Sequence, residues 1–321
     1  MDSRLFSDLI RQCWDTQRLM DRMHRDLPSH FRDDWPELPW SRYRVFYGVL
    51  VPVVIHDALF RLHDIPYSSD HRKVMTAQGL ITGLFDDLFD RIHLPVDRIR
   101  QLMETPDYII SSEYIEEHLS QYLFKEINEN FTGIPKVLED SILGIMKAQD
   151  QSFQQRDPEI HRDDILRITR EKGGQAVLFY RSCIRRGISD EERIFLKDLG
   201  GLFQLTNDIN DALRDHQAGE ITLMTTGLSL VQVREIFMAQ LHQTHESWNS
   251  LTENPAQEGS FFGRINILVS RSLIALDRYS QLTDPELPFD INKIPRHKIL
   301  SGLAIPIELR QWYRQYKTLQ K

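Results

Sequence analysis

Oxygen-bearing side chains cluster at two places in the sequence, and the first place is Asp86, Asp87 and Asp90. These residues follow the largely uncharged segment 78–85 and lie near the end of an apolar stretch. On a helix Asp86 and Asp90 fall one turn apart on one face, with Asp87 about 100° away. Carboxylates stacked in this way repel each other unless a cation lies between them. The first acidic motif therefore suits a metal ion. The alternative is a solvated C-terminal end of a helix, but acidic residues are disfavoured at that end by the helix dipole.

The second acidic motif runs from Asn207 to Asp215 and repeats this pattern on another predicted helix. Asn207, Asp211 and Asp215 are spaced i, i+4, i+8, which aligns three oxygen ligands along one face over two turns. Asp208 neighbours that face. Arg214 lies beside Asp215 and can either pair with it or reach a phosphate, for which the guanidinium geometry is suited. The alternative for this motif is a surface helix of alternating charge.

Magnesium is the cation that both motifs suit, because it prefers oxygen ligands and is commonly shared between carboxylates and substrate phosphates. Two such clusters on two helices can face each other across a bundle core and bind metal ions from both sides. The metal ligands predicted on this basis are Asp86, Asp87, Asp90, Asn207, Asp211 and Asp215.

The elements that must position these residues are predicted to be helices, because apolar residues recur at three- and four-residue spacing while strict alternation is scarce. We predict an all-α fold, one domain over residues 1–321, in which a bundle of about ten helices encloses a central apolar cavity. The predicted helices are 3–26, 41–63, 70–92, 112–128, 134–152, 160–186, 189–217, 229–250, 259–282 and 305–319.

Composition narrows the class of protein. With 321 residues, 41% hydrophobic and 27% charged, the chain is long enough for one large core. Its net charge of -8 argues against a nucleic-acid partner. Cys13 and Cys183 lack the spacing of a disulfide framework or zinc site, so both are expected to be buried hydrophobes. No basic, apolar leader and no run of about 20 apolar residues is evident, so we expect a cytoplasmic protein without a transmembrane segment.

Taken together, the two motifs resemble those of the class I terpene synthases, which are DDxxD and NDxxSxxxE with a basic residue before the final acid. The first motif matches in full. The second has Asp211 in place of serine and Asp215 in place of glutamate, and both changes keep an oxygen ligand. The same stretch is also similar to the QxxNxxxDxxxD motif of squalene and phytoene synthases, with Gln204 and Asn207 in register.

The resemblance extends to residues that bind diphosphate. Arg278 and Tyr279 resemble the Arg-Tyr pair that terpene synthases place downstream of the second motif. The family also has a diphosphate-sensing arginine upstream of that motif, for which Arg170 is the main candidate, with Arg162 and Arg167 as alternatives. The glycines at 173 and 174 indicate a helix break or a close backbone approach. We interpret them as a break that lines the pocket, and a plain bend is the alternative.

The resemblance implies a carbon-oxygen lyase that ionises an allylic prenyl diphosphate and converts the cation to a terpene hydrocarbon or alcohol. The catalytic set would be Asp86, Asp90, Asn207, Asp211 and Asp215, working with three Mg²⁺ ions or with Mn²⁺. Apolar aromatic side chains would shield the cation, and the candidates are Phe85, Phe89, Phe179, Tyr180 and Phe203.

Other activities stay open at this point. The squalene and phytoene synthase branch joins two prenyl diphosphates, and a helical protein that binds isoprenoids without turnover would use the same pocket. His56-Asp57 and His63-Asp64 are a weaker indication of an HD-type metal phosphohydrolase. The expected partner is a small prenyl diphosphate, and a homodimer is compatible with each of these activities.

Overall fold

The protein is all-α, as the sequence predicts, in a computed structural model that describes residues 3–66, 68–104, 112–131, 133–252, 254–295 and 309–319. Over those ranges no β-strand forms, and Ser229 and Pro288 make one isolated β-bridge. The chain divides into two compact units. Unit 1 comprises Met1–Leu138 and Phe179–Arg186, and unit 2 comprises Glu139–Leu178 and Gly187–Lys321.

Unit 1 is built from helices of the N-terminal part of the chain. Two of its helical segments are π-helical, a form in which each hydrogen bond spans five residues and which often occurs at functional sites. In chain order its elements are α1 (Ser3–Asp26), short 3₁₀ turns at Ser29–Phe31 and Trp35–Glu37, the first π-helical segment (Arg42–His56), α2 (Asp57–Leu62), α3 (Ser69–Asp86), the second π-helical segment (Asp87–Arg91), α4 (Val96–Glu104) and α5 (Ile115–Asn130).

The stretch Arg42–Leu62 is more apolar than the sequence pattern alone suggested. It is 21 residues long, with a mean hydropathy of 1.7 in its most apolar window, so the expectation that no stretch approaches membrane-spanning length is wrong here. The structure buries 78% of that window inside the protein. A helix that is hydrophobic on all sides is typical of a protein core as well as of a membrane span.

Polar side chains of α1 hold the first π-helical segment where proline interrupts it. Pro52 lies inside the segment and has no N–H to donate to the preceding turn. The Gly48 carbonyl, four residues earlier, accepts hydrogen bonds from Gln12 Nε2 at 2.8 Å and Thr16 Oγ1 at 2.7 Å. Gln12 Nε2 also donates to Thr76 Oγ1 of α3 at 2.7 Å. This buried network joins α1, the π-helical segment and α3, because buried polar groups must find partners.

Unit 2 contains the longest helices. The elements that continue the chain are α6 (Pro135–Ser152), a 3₁₀ turn at Phe153–Arg156, α7 (Arg162–Arg181), α8 (Asp190–Ala218), α9 (Leu230–Leu251), α10 (Pro255–Leu282), a 3₁₀ turn at Ile291–Lys293 and α11 (Leu309–Thr318). The first residues of α6 and the last of α7 belong to unit 1. The aromatic core of unit 2 centres on Trp248, whose ring lies 4.8 Å from Phe261 and 5.4 Å from Phe195.

Local sequence signals set the ends of α8. Ser189 caps its start, because the Ser189 hydroxyl accepts a hydrogen bond from the Glu192 N–H at 3.1 Å. Gly219 ends it in a left-handed conformation with φ of 71°, which glycine adopts without strain. Serines cap α3 and α9 in the same way, at Ser68 and Ser229.

Gly173 and Gly174 do not break their helix, because α7 continues through them. The predicted break that would line a pocket is therefore wrong, and the alternative of a close backbone approach is confirmed. A Cβ atom at Gly173 would lie 1.9 Å from the carbonyl oxygen of Gly200 in α8. Only glycine lets two helices approach this closely.

Most predicted helices form near their predicted bounds, with four differences. The predictions 41–63 and 70–92 become π-helical in part, α4 was not predicted, and of 305–319 the structure describes residues 309–319. Cys183 is buried as expected, whereas Cys13 is exposed on α1.

We expect Gly173→Ala to lower the free energy of unfolding by about 1–3 kcal/mol, because the added methyl group would force α7 and α8 apart. The matched control is Gly259→Ala in α10, where nothing lies within 4 Å of a new Cβ atom. Alanine there should stabilise the helix by roughly 0.5–1 kcal/mol. Urea denaturation of both variants tests the contact, and equal effects would contradict it.

His56 makes the stability of unit 1 depend on pH. Its Nε2 lies 3.1 Å from Gln78 Oε1, and burial lowers the pKa of His56 to about 4, against the effect of its hydrogen bonds. Because this pKa lies below the unfolded value of 6.5, the unfolded state binds more protons between the two values. The stability contribution is complete above pH 6.5 and is lost as the pH falls toward 4.

We therefore expect wild-type protein to lose up to roughly 3 kcal/mol of stability through His56 between pH 6.5 and 4. His56→Gln cannot take up a proton, so this contribution should be missing from the loss of unfolding free energy that the variant shows over the same pH range. Urea titrations of both proteins at several pH values give the comparison. Parallel curves would show that His56 does not titrate in this way.

Candidate functional site

The carboxylates of the first acidic motif are held by an arginine that lies outside the motif itself. Asp86 ends α3 and Asp87 begins the second π-helical segment. Arg42 bonds to both, from Nη2 to Asp86 Oδ2 at 2.7 Å and from Nη1 to Asp87 Oδ1 at 3.3 Å. Arg91 lies 3.8 Å from Asp87 and also contacts Glu116 of α5. One guanidinium thus neutralises two adjacent carboxylates, as its fork geometry allows.

Tyrosines complete the surroundings of these carboxylates. Tyr47 donates to Asp86 Oδ2 at 2.7 Å, and the Tyr43 hydroxyl donates to Asp87. Burial, with the charge of Asp86 or Asp87, raises the pKa of both tyrosines, so both stay protonated donors. Burial also raises the pKa of Tyr180, which the charge of Asp86 raises further.

Glycine lets Tyr47 approach α3. A Cβ atom at Gly83 would lie 2.5 Å from the Tyr47 ring, and one at Gly79 would lie 2.1 Å from the Tyr47 carbonyl oxygen. The i, i+4 spacing of Tyr43 and Tyr47, beside Arg42, was the sequence signal that could have identified these partners. The backbone of Asp90 lies in the second π-helical segment, but its side chain is outside the described part of the structure.

The second acidic motif lies on α8 and buries two of its carboxylates. Asp208 is 3% exposed and Asp215 is 4% exposed, whereas Asn207 and Asp211 are half-buried. Arg214, which is exposed, lies 2.9 Å from Asp211 Oδ2 and 3.7 Å from Asp215 Oδ1. The predicted face of Asn207, Asp211 and Asp215 thus exists on α8, and Asp208 is a more buried member of the motif than its sequence position suggested.

Burial raises the pKa of Asp208 and of Asp215, and the neighbouring acidic charges raise both further. Asp208 accepts hydrogen bonds from Gln204 Nε2 at 2.9 Å and from Thr169 Oγ1 of α7 at 3.4 Å. The charge of Lys172, also on α7, opposes the shift at Asp208. These carboxylates resist ionisation unless a cation compensates them.

Tyr279 carries a buried hydroxyl group without a hydrogen-bond partner among the described residues. The side chain lies on α10 and is 0% exposed. Burial raises the pKa of Tyr279 to about 12. The charge of Arg278 opposes this shift, and the charge of Asp211 adds to it. The hydroxyl group is therefore close enough to the second motif to respond to the charge of Asp211. Asn210 of that motif bonds to Ser272, two turns earlier on α10, at 3.4 Å. Because an unpaired buried hydroxyl is costly, this one is a candidate donor for an absent ligand.

The predicted upstream arginines have partners outside the second motif. Arg170 is exposed and donates from Nε to Gln240 Oε1 at 2.7 Å, on the side of α7 that faces α9. Arg162 and Arg167 pair with neighbouring acidic residues on the surface. On α7, Thr169 and Lys172 are the residues that act on Asp208. Their i, i+3 spacing, one helix upstream, was the available signal.

The aromatic residues predicted to line a cavity are mostly core residues. Phe85 is buried and packs on Phe124 at 5.7 Å and Phe89 at 6.3 Å, all within unit 1. Phe179 is also buried in unit 1, and Phe203 is half-buried on α8 in unit 2. The central apolar cavity stays a prediction.

The residues of the second motif fit a magnesium ion by their chemistry. In the described part of the chain, no group of three or more His, Cys, Asp or Glu side chains is arranged to hold a metal. Magnesium does not need one, because it is often bound by one or two carboxylates together with substrate phosphates. The HD alternative gains nothing from the structure, since His56 bonds to Gln78 and Asp57 pairs with Arg61 at 2.6 Å.

Comparisons with known proteins give one likeness. No family model and no curated protein matches the sequence. A crystal structure of a dehydrosqualene synthase in complex with ligand aligns with 88% of this chain and 98% of its own, at 15% identity and a TM-score of 0.47. At that identity and TM-score the likeness carries no weight for the activity.

We expect Asp215→Asn to stabilise the protein in EDTA at pH 9, raising the free energy of unfolding by about 1 kcal/mol or more. The amide keeps the shape of the side chain without the cost of a buried charge, for which Arg214 compensates only at a distance. Thermal denaturation measures the change. Asp164→Asn, at a half-buried position on α7, is the control and should have little effect. A destabilised Asp215→Asn protein would contradict the prediction.

Proposed function

We propose that this chain is a magnesium-dependent enzyme that ionises an allylic prenyl diphosphate, with a terpene synthase reaction as the finer assignment. The observation that carries the proposal is the unpaired, buried Tyr279 hydroxyl, whose pKa is raised by the charge of Asp211 in the second motif. A hydrogen-bond donor and metal-ligating carboxylates are the two groups that a metal-bound diphosphate needs. A charged surface helix would bury neither.

Each group has a specific role in this proposal. Asn207, Asp211 and Asp215 would hold magnesium, with Asp208 buried beside them, and the ion supplies Lewis-acid neutralisation of the leaving diphosphate when bound. Tyr279 would donate a hydrogen bond from its hydroxyl group to a diphosphate oxygen. Arg214, which is exposed beside the motif, can turn from Asp211 to the same anion, since guanidinium binds phosphate as well as carboxylate. Such donors stabilise charge that develops as the allylic C–O bond breaks.

The first acidic motif would provide a second set of magnesium ligands, through Asp86, Asp87 and Asp90. Its carboxylates are bonded to Arg42 without a metal, so a bound ion would have to compete with that guanidinium. Arg42 would then be released from the pair and become available to an anion.

The assignment of Mg²⁺, the cytoplasmic setting and a homodimer remain parts of the proposal.

The test is turnover by purified full-length protein with C10, C15, C20 and C25 prenyl diphosphates, with Mg²⁺ or with EDTA. We expect diphosphate release and a hydrocarbon or terpene alcohol with Mg²⁺ alone. Asp86→Asn and Asp211→Asn should each lower the rate at least about 100-fold. Asp164→Asn on α7, where the carboxylate pairs with Arg167, should keep the rate. A product with twice the chain length would identify a chain-joining transferase, and no consumption of any substrate would contradict the proposal.

Tyr279→Phe separates a functional role from a structural one. Removing a hydroxyl that lacks a partner should leave the thermal midpoint unchanged or raise it. Removing a donor to the leaving group should lower turnover about tenfold or more. A variant as active as wild type would exclude Tyr279 from the site, and a less stable one would show that its hydroxyl has a structural partner.

A further inference from the structure

Helix α1 presents an exposed apolar row to solvent. Phe6, Ile10 and Trp14 are spaced i, i+4, i+8 and are 58%, 46% and 64% exposed. They line a cavity of about 650 Å³ together with Ser7 and Arg11. Large apolar side chains exposed in a contiguous row are typical of a binding surface.

A smaller, basic cavity adjoins this row in the same unit. It has a volume of about 230 Å³ and lies among α1, α3 and α5. Its cationic residues are Arg18, Arg22, Arg72 and Lys73, and its acidic ones are Asp15 and Glu126. The cavity thus has an excess of two positive charges in a chain whose net charge is -8. Such local charge attracts anions against the field of the whole protein.

The two cavities are contiguous, because Asp15 and Arg18 line both. Arg18 is exposed and makes no ion pair with any described residue. Ion pairs hold all three of the other cations, Arg22 with Glu126 at 3.0 Å, Arg72 with Asp15 at 3.5 Å and Lys73 with Asp70, outside the cavity lining, at 3.0 Å. The apolar row therefore leads directly into a cluster of positioned guanidinium groups.

We propose that this composite α1 site binds an amphiphilic phosphate ester, with its phosphoryl group in the basic cavity and its hydrocarbon chain along Phe6, Ile10 and Trp14. Guanidinium groups bind phosphoryl oxygens in pairs, and the apolar row gains free energy when a chain covers it. The Arg22 and Arg72 side chains are 38% and 22% exposed. Both guanidinium groups are therefore within reach of a single phosphoryl head group.

This site is separate from the first acidic motif and does not rest on the proposed function. Thr76 and Lys73 line the basic cavity and lie on α3, which ends at Asp86. The helix rises about 1.5 Å per residue, so these two residues lie roughly 15 and 20 Å along the axis from Asp86. Binding here also needs no metal, because the ligands are cationic side chains.

The experiment titrates the full-length protein with farnesyl monophosphate in EDTA, followed by isothermal calorimetry. We expect binding of one molecule per chain. Inorganic phosphate and farnesol, which are the two halves of the probe, should each bind at least about tenfold more weakly. Equal affinity for inorganic phosphate would overturn the role of the apolar row, and equal affinity for farnesol would overturn that of the basic cavity.

Variants assign the binding to α1. Arg18→Gln and Trp14→Ser should each weaken binding about tenfold, because one removes a cation and the other part of the apolar row. Arg25→Gln is the matched control, since Arg25 is on the same helix, 70% exposed and outside both cavities. Unchanged affinity in Arg18→Gln and Trp14→Ser would overturn the proposal.

Two further measurements distinguish the α1 site from the acidic motifs and from a membrane surface. The double variant Asp86→Asn, Asp211→Asn should bind farnesyl monophosphate like wild type, even if the proposed catalysis is lost or absent. Loss of binding in it would place the probe at the acidic motifs and overturn the proposal. The second measurement is sedimentation with phosphatidylcholine vesicles that contain phosphatidic acid. If the protein sediments with the vesicles but does not bind farnesyl monophosphate, the occupant of the α1 surface is a membrane and the proposal is overturned.

Discussion

The burial of two carboxylates on α8 is the constraint around which unit 2 is arranged. An ionised carboxylate in a protein interior costs several kcal/mol unless charges or hydrogen bonds compensate it. Asp208 obtains hydrogen bonds from Gln204 and Thr169 and an opposing charge from Lys172. Two of those three groups lie on α7 and depend on its distance from α8. The contact of Gly173 with Gly200 brings α7 this close, so backbone packing and the chemistry of the motif are parts of one feature.

The two acidic motifs have similar residues but differ in how their charge is compensated. In unit 1, Arg42, Tyr43 and Tyr47 donate to the carboxylates of Asp86 and Asp87, so their acceptor oxygens have partners from the protein. In unit 2 the exposed Arg214 pairs with the half-buried Asp211 at 2.9 Å but lies 3.7 Å from the buried Asp215. The second motif therefore has the greater need for an external cation, although the first motif has the more complete match to a known pattern.

The sequence predicted what depends on local spacing and missed what depends on packing. Helix bounds such as those of α8 follow from a serine cap and a terminal glycine, which act within a few residues. The i, i+4 alignment of the second motif follows from helix geometry in the same way. The partners of these carboxylates come from helices distant in the chain, as Arg42 and Thr169 illustrate. The glycines at 173 and 174 could be interpreted either as a break or as a contact until the neighbouring helix was known.

The two cysteines have very different environments, and this gives the protein one chemically addressable sulfur. Cys183 is buried, and burial raises its thiol pKa to about 12, so it forms little of the nucleophilic thiolate near neutral pH. Cys13 is exposed on α1, next to Trp14. A thiol-specific fluorophore would thus label the native chain at a single defined position without any prior mutagenesis. Its emission would report on the solvent exposure of the α1 surface.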